Sequence, residues 1–339
     1  MAKVKPYISS NFTKSFLTIF LPFSLIISLV YLVKIAALTS SIQITFLELF
    51  RLYSYSVPDI LFYTLSLSFV AALANVLVGL SQDNELIALY SLGLSAKKIL
   101  RHFLILGLLF SILLSTVSFL AMPLSKQLYK SFKEEKKNEA KLNIVAGKLG
   151  QKFANYYIYV KEKKEGLFKD IVIYNRTNIN NEQFFAAKTA KLKNNSATTS
   201  LLLNDGYGYT YSDDKLQQAK YKTLEVFNNI NKKSFKFEDI IAHWRKATTD
   251  IGIMHRVLFF TFLSLLPLLS VYLVASFTMI NPRYQPNRSF VVIFITSLVL
   301  YLTASTLEKW GTPLLLVLSI FIFVGTGKWL FHKRVSKYF

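Results

Sequence analysis

Six long apolar runs, three on either side of a polar block, decide what this chain can fold into. A helix of about 20 apolar residues crosses the hydrocarbon core of a bilayer, and lipid offers no partner to an unpaired backbone group. The runs cover about Phe16–Leu38, Val57–Leu80, Phe103–Leu124, Val257–Phe277, Phe290–Thr306 and Pro313–Leu330. Each is read as a membrane-spanning helix. The fifth is the shortest, with Glu308 just beyond it, and Pro123 falls near the end of the third. The first run, from Phe16, is longer than a signal peptide's apolar core. Lys34 follows it in place of a small-x-small cleavage site, so it is expected to be retained.

Composition narrows the class further. A net charge of +21 accompanies 53% hydrophobic residues, a pairing foreign to soluble enzymes. The Lys and Arg residues lie in loops and in the central block, without a nucleic-acid-binding motif, so an anionic membrane surface or lipid is the expected partner, and no nucleic acid. The absence of cysteine excludes disulfides and zinc–thiolate sites, and the four His form no ligand-like cluster. No metal, cofactor or catalytic constellation is expected.

From Ser125 to about Asp250 the pattern changes. A charged, helix-favouring stretch to Lys141 gives way to short β-like segments at Phe153–Val160, Leu167–Tyr174, Phe184–Leu192, Thr198–Leu203 and Tyr221–Phe227. Turn signals stand at Asn204-Asp205-Gly206 and Ser212-Asp213-Asp214. Short strands at this spacing predict an antiparallel sandwich or jelly roll. The fold class is therefore a polytopic α-helical membrane protein with six transmembrane helices plus an all-β, jelly-roll-like domain. Its parts are 1–124, 125–250 and 251–339.

Orientation follows from the short loops. Lys3, Lys5 and Lys14, then Lys97, Lys98 and Arg101, then Arg283 and Arg288, and the basic tail all fall on one side of a six-span layout. That side is cytoplasmic by the positive-inside rule, with both termini, which puts the β domain outside the inner membrane.

The connection after the second span, Ser81–Lys98, is longer than a hairpin needs. Ser81 is placed to cap a helix of roughly ten residues, at about 83–92. Asp83 and Glu85 lie in its first turn, and Leu86, Leu89 and Tyr90 make one apolar face. Gly93 is the expected stop, and Ser95 the cap of the next helix. It reads either as an interfacial helix or as a docking element for a cytoplasmic partner. Lys34, near the end of the first span, either snorkels to the headgroups or holds a lipid phosphate. Arg256, at the entry of the fourth span, allows the same two readings, and His243-Trp244-Arg245 reads first as an interfacial anchor. Gly325-Thr326-Gly327-Lys328 fails as a phosphate loop, because Ile322 and Trp329 stand where Gly and Ser or Thr are needed.

With these residues on the page, the sequence resembles the LptF/LptG-type permeases of lipopolysaccharide export. Asp83 through Ser95 (DNELIALYSLGLS) is similar to that family's segment after the second span, although Tyr90 and Leu92 stand where smaller or basic residues are usual. His243-Trp244-Arg245 and Asn281-Pro282-Arg283 are two further matches. Asn281-Pro282-Arg283 leans towards the LptF side and Lys34 towards the LptG side. The resemblance implies a periplasmic jelly-roll domain, a second homologous permease, and a cytoplasmic ABC ATPase dimer. It makes Asp83, Glu85, Leu86, Leu89, Tyr90 and Gly93 the ATPase-coupling helix. It also implies that lipopolysaccharide enters from the inner membrane between gates formed by the first and fifth spans and passes to periplasmic jelly-roll bridge proteins. An ion-coupled secondary transporter and a membrane-anchored receptor or assembly factor are the competing classes. The spans show neither a matched Gly/Pro-broken pair nor a chain of buried carboxylates, against the transporter.

Overall fold

The computed structural model describes residues 4–39, 44–142, 144–153, 156–164, 166–178, 181–194, 199–212, 215–228, 237–279 and 289–337. Two compact units result. One gathers residues 1–40, 45–129 and 237–339, and the other residues 41–44 and 130–236.

The first unit is helical. Its elements are α1 (Val4–Thr39), α2 (Phe46–Ser54), α3 (Val57–Gln82), α4 (Glu85–Ser91), α5 (Ala96–Thr116), a π-helical turn (Val117–Ala121) and the start of α6 (Met122–Leu142), which belongs to the second unit from Lys130 on. After the sheet come α7 (Ile240–Arg245), α8 (Ile251–Ser264), α9 (Leu266–Thr278), α10 (Ser289–Trp310) and α11 (Pro313–Phe331). Among the described residues, five helices are each long and apolar enough to cross a membrane, or six if α8 and α9 count as one span. Those two meet at a 44° bend where one straight fourth span was expected. Pro267, in the first turn of α9, has no N–H and cannot continue the ladder begun in α8, which ends at Leu265.

α3 is the hub of this unit. It packs against α1, α9 and α10, and most of its length is buried. At its centre Phe69 meets Phe12 and Phe110 at centroid distances of 5.3 and 5.1 Å, and Phe12 reaches Phe103 at 6.1 Å. α1 is buried in its N-terminal part at Ile8, Phe12 and Phe16, and again at Ile35. Beyond Pro22 its Leu25, Ile26, Leu29, Val30 and Val33 are all exposed. Helix α2, between the first two long helices, is amphipathic. Phe46, Leu47 and Phe50 face outward, and the ring hydroxyl of Tyr53 lies 2.6 Å from Ser28 of α1.

The second unit is built on one antiparallel sheet of six strands: β1 (Gln151–Phe153), β2 (Tyr156–Lys164), β3 (Leu167–Asn178), β4 (Asn181–Asn194), β5 (Thr199–Ser212) and β6 (Lys215–Asn228). Each strand pairs with its neighbours in sequence. The described pairings are thus those of a meander, without the crossover that a jelly roll requires. β5 ends at Ser212 and β6 begins opposite it at Lys215, which fits the second turn signal.

The first turn signal is not a turn. Asn204-Asp205-Gly206 lies inside β5. Asp205 takes a left-handed φ of 51°, as Asp170 does in β3 at 49°, yet the pairing register runs on unchanged past both. That register sets Lys161, Asp170, Lys188, Asp205 and Lys222 opposite one another across five strands, a row of alternating charge. The buried face switches parity at this row, so that Phe168 and Ile171, Ala187 and Ala190, and Leu203 and Gly206 are all buried. Residues with turn chemistry therefore bend the sheet instead of ending a strand. Gly206 is needed beside the bend, because the Tyr221 ring lies over it and donates a 3.1 Å hydrogen bond to the Ala186 carbonyl. A Cβ at Gly206 would run into that carbonyl and that ring. Gly206→Val is expected to destabilise the sheet by about 1–3 kcal/mol, the usual cost of overpacking, read as earlier loss of β-sheet circular dichroism on heating.

Candidate functional site

α3 continues through Gln82, so the buried Ser81 lies inside that helix, and the N-cap position of α4 is Asn84. The break falls at Asn84, whose φ of 58° is one that asparagine tolerates better than most residues. α4 then runs for seven residues, shorter than the ten expected. Its end is the one the sequence announced. Gly93 adopts φ 81°, its N–H reaches the Tyr90 carbonyl at 2.9 Å, and the Leu94 N–H reaches Leu89 at 3.1 Å. These two bonds make a Schellman motif closed by glycine. Ser95 precedes α5 in extended conformation without a side-chain capping bond.

This short helix has two unlike faces. Leu86 is buried, and Leu89 and Tyr90 pack against the bundle core. Burial pushes the Tyr90 hydroxyl up to about 12, so it stays protonated. These three residues, the apolar face expected from their spacing, pack α4 against its own protein. The outward side carries Asp83, Asn84, Ile87, Ala88, Ser91 and Leu92. Ile87 is 44% exposed and Leu92 72%, which leaves two apolar contacts for a partner. Glu85 stands between the faces and accepts the Tyr7 hydroxyl at 2.8 and 2.9 Å. Tyr7 was missed in the sequence, because 78 residues separate the pair and no local signal joins them.

Lys34 is exposed near the end of α1, its ammonium 5.0 Å from the Tyr31 ring centroid. Nearby, Lys126 stands 4.0 Å from Asp59, and its ammonium also lies 5.5 Å from the Phe260 ring centroid. Arg256 is exposed on α8, whose first turn is capped by Asp250 through the N–H groups of Gly252 and Ile253 at 2.8 and 3.4 Å. Lys34 and Arg256 thus sit on separate helices, each open to its surroundings. Asn281-Pro282-Arg283 and Arg288 lie outside the described residues. Gly325 to Lys328 are helical within α11 and form no phosphate-cradling loop.

The anchor reading of His243-Trp244-Arg245 has a physical basis. Pro123 lacks an N–H, which deprives the Phe119 carbonyl of its α-helical donor four residues on. The Trp244 indole N–H donates to that carbonyl at 2.8 Å, and its ring packs edge-on against Phe119 at 5.3 Å. Beside it, Glu238 accepts from Lys246 at 2.9 Å and lies 3.3 Å from His243. The Lys246 ammonium, and then His243, hold the Glu238 carboxyl below the usual carboxylate range. Gln127 ties this elbow to α6 through paired bonds with the Glu238 backbone, at 3.1 and 2.9 Å.

Apolar helices long enough to span a bilayer define the class as a membrane protein. The family model for the lipopolysaccharide export system permease LptF/LptG matches residues 6–241, and the chain belongs to that family. The match includes α4 and the whole sheet and ends just before His243. Among curated proteins, none matches.

Proposed function

We propose that this chain is one of two paired permease subunits that extract lipopolysaccharide from the inner membrane of a Gram-negative cell. In this reading α8 and α9 form one bent span, which makes six, and both termini are cytoplasmic. A cytoplasmic ABC ATPase dimer seats against the outward face of α4, and the chain itself hydrolyses nothing. The sheet, in residues 125–250, lies in the periplasm and hands the lipid to jelly-roll bridge proteins. The observation that carries the reading is the family match across residues 6–241, which takes in the docking element and the sheet together.

The physics is consistent with an external energy source. Lifting an acyl chain out of a bilayer opposes about 0.8 kcal/mol per CH₂, and this lipid carries several chains. Ile87 and Leu92 supply apolar contacts for the ATPase, Asp83 and Glu85 supply negative charge, and Leu86, Leu89, Tyr90 and Gly93 hold the helix in place. Lys34 and Arg256 are assigned to the phosphates of the headgroup.

The test is ATP-driven release of lipopolysaccharide from proteoliposomes containing the assembled complex. Lys34→Ala is expected to slow release about tenfold, since a hydrogen bond to a charged group contributes roughly 1.5–3 kcal/mol. Release at the parental rate would leave Lys34 as a headgroup anchor only.

A further inference from the structure

The inner end of α1 is fastened to the docking element by two polar links. The Tyr7 hydroxyl donates to the Glu85 carboxylate at 2.8 and 2.9 Å, and Ser9 Oγ lies 2.8 Å from His102 Nε2 of α5. Both sit on the first turns of α1, beside its packed residues Ile8, Phe12 and Phe16. Past that region Pro22 interrupts the helix ladder, and the exposed remainder of α1 leads to Lys34. α1 is thus tied near its N-terminus to α4 and α5, while beyond Pro22 it is mostly exposed, with holds at Ser28, 2.6 Å from the Tyr53 hydroxyl, and at the buried Ile35. Glu85 is the junction. One hydroxyl proton uses a small part of a carboxylate that has about four acceptor sites, so the same group has capacity for a cation from a partner.

We propose that Tyr7 is a positioning residue that latches the first span to the docking helix, so that movement of α4 under its ATPase is passed to α1 through the Tyr7–Glu85 hydrogen bonds. The proposal rests on the reading of α4 as the ATPase-docking helix and adds the connection between that helix and the lipid-contacting span. Tyr7 touches no lipid in this scheme and acts through Glu85. The ring of Tyr7 is 44% exposed, so removal of its hydroxyl leaves no cavity in the core.

The experiment uses the assembled complex in proteoliposomes and measures lipopolysaccharide released per ATP hydrolysed, together with the amount of ATPase that co-purifies. Tyr7→Phe is expected to keep the ATPase at parental stoichiometry and the melting temperature unchanged. Lipid released per ATP should fall about fivefold, the low end of measured coupling between sites. Glu85→Gln, which still accepts the Tyr7 hydroxyl but lacks charge, should weaken ATPase retention yet preserve lipid per ATP in the complexes that survive. A parental ratio in Tyr7→Phe, with the ATPase still bound, overturns the latch and leaves the docking reading standing. Failure of any ATPase to co-purify with the unaltered chain overturns the docking reading, and the latch with it.

Discussion

Replacing Ile87 and Leu92 together with aspartate is expected to strip the ATPase from the purified complex while leaving this chain folded. Both side chains point away from the bundle, so neither change opens a cavity. Each exchanges an apolar contact of about 1.5–3 kcal/mol for a carboxylate that the interface would have to desolvate. Two such losses exceed the few kcal/mol that separate a complex surviving purification from one that does not. Retention should drop from stoichiometric to background in an affinity pull-down, with an unshifted melting temperature. Leu86→Ala is the control with the opposite signature. Leu86 is 4% exposed, and its truncation should cost about 2–5 kcal/mol of stability. Loss of ATPase binding from Leu86→Ala without loss of stability would place the docking face on the other side of α4.

The second large effect concerns the junction of the third span with α7. Trp244→Phe keeps an aromatic ring against Phe119 but removes the donor that serves its carbonyl. An unpartnered carbonyl at this depth costs about 1–3 kcal/mol. Pro123→Ala restores a backbone N–H that can reach the same carbonyl in an ordinary helical turn. The double variant should therefore regain most of what Trp244→Phe loses, giving an interaction energy of about 1 kcal/mol in a double-mutant cycle. Thermal unfolding of the four proteins in the same detergent reads it. Additive losses would mean that the indole serves the fold by packing alone.

These cases show which parts of the protein could be read in advance. The long apolar helices, five or six of span length among the described residues, were legible because lipid forbids unpaired backbone and so favours a helix for a long apolar run. The end of α4 was legible because a helix stop demands positive φ, and Gly93 is the residue that takes it freely. The start of α4 was not. Ser81 has the chemistry of a cap, but the apolar pattern of α3 carries the helix past it to Gln82. Asn204-Asp205-Gly206 shows a deeper limit. The same residues that make hairpin turns also supply left-handed φ within a strand, and only the cross-strand row of Lys161, Asp170, Lys188, Asp205 and Lys222 reveals which use is made of them. The first half of β6, KLQQAK, was silent because every residue in it is exposed and no alternation appears. In α4 the apolar spacing was legible, and what it packs against was not. Leu86, Leu89 and Tyr90 form the apolar stripe that the spacing announced, and that stripe faces the protein's own core. Tyr7 and Glu85 could be joined only by the fold.

The most direct test of the account is purification of the tagged protein from its native membrane in a mild detergent, with every accompanying chain and lipid identified by mass spectrometry. The account predicts an ABC ATPase present as two copies, a second permease of the same family and bound lipopolysaccharide. A chain that purifies alone from several mild detergents, with neither ATPase nor second permease, would contradict it.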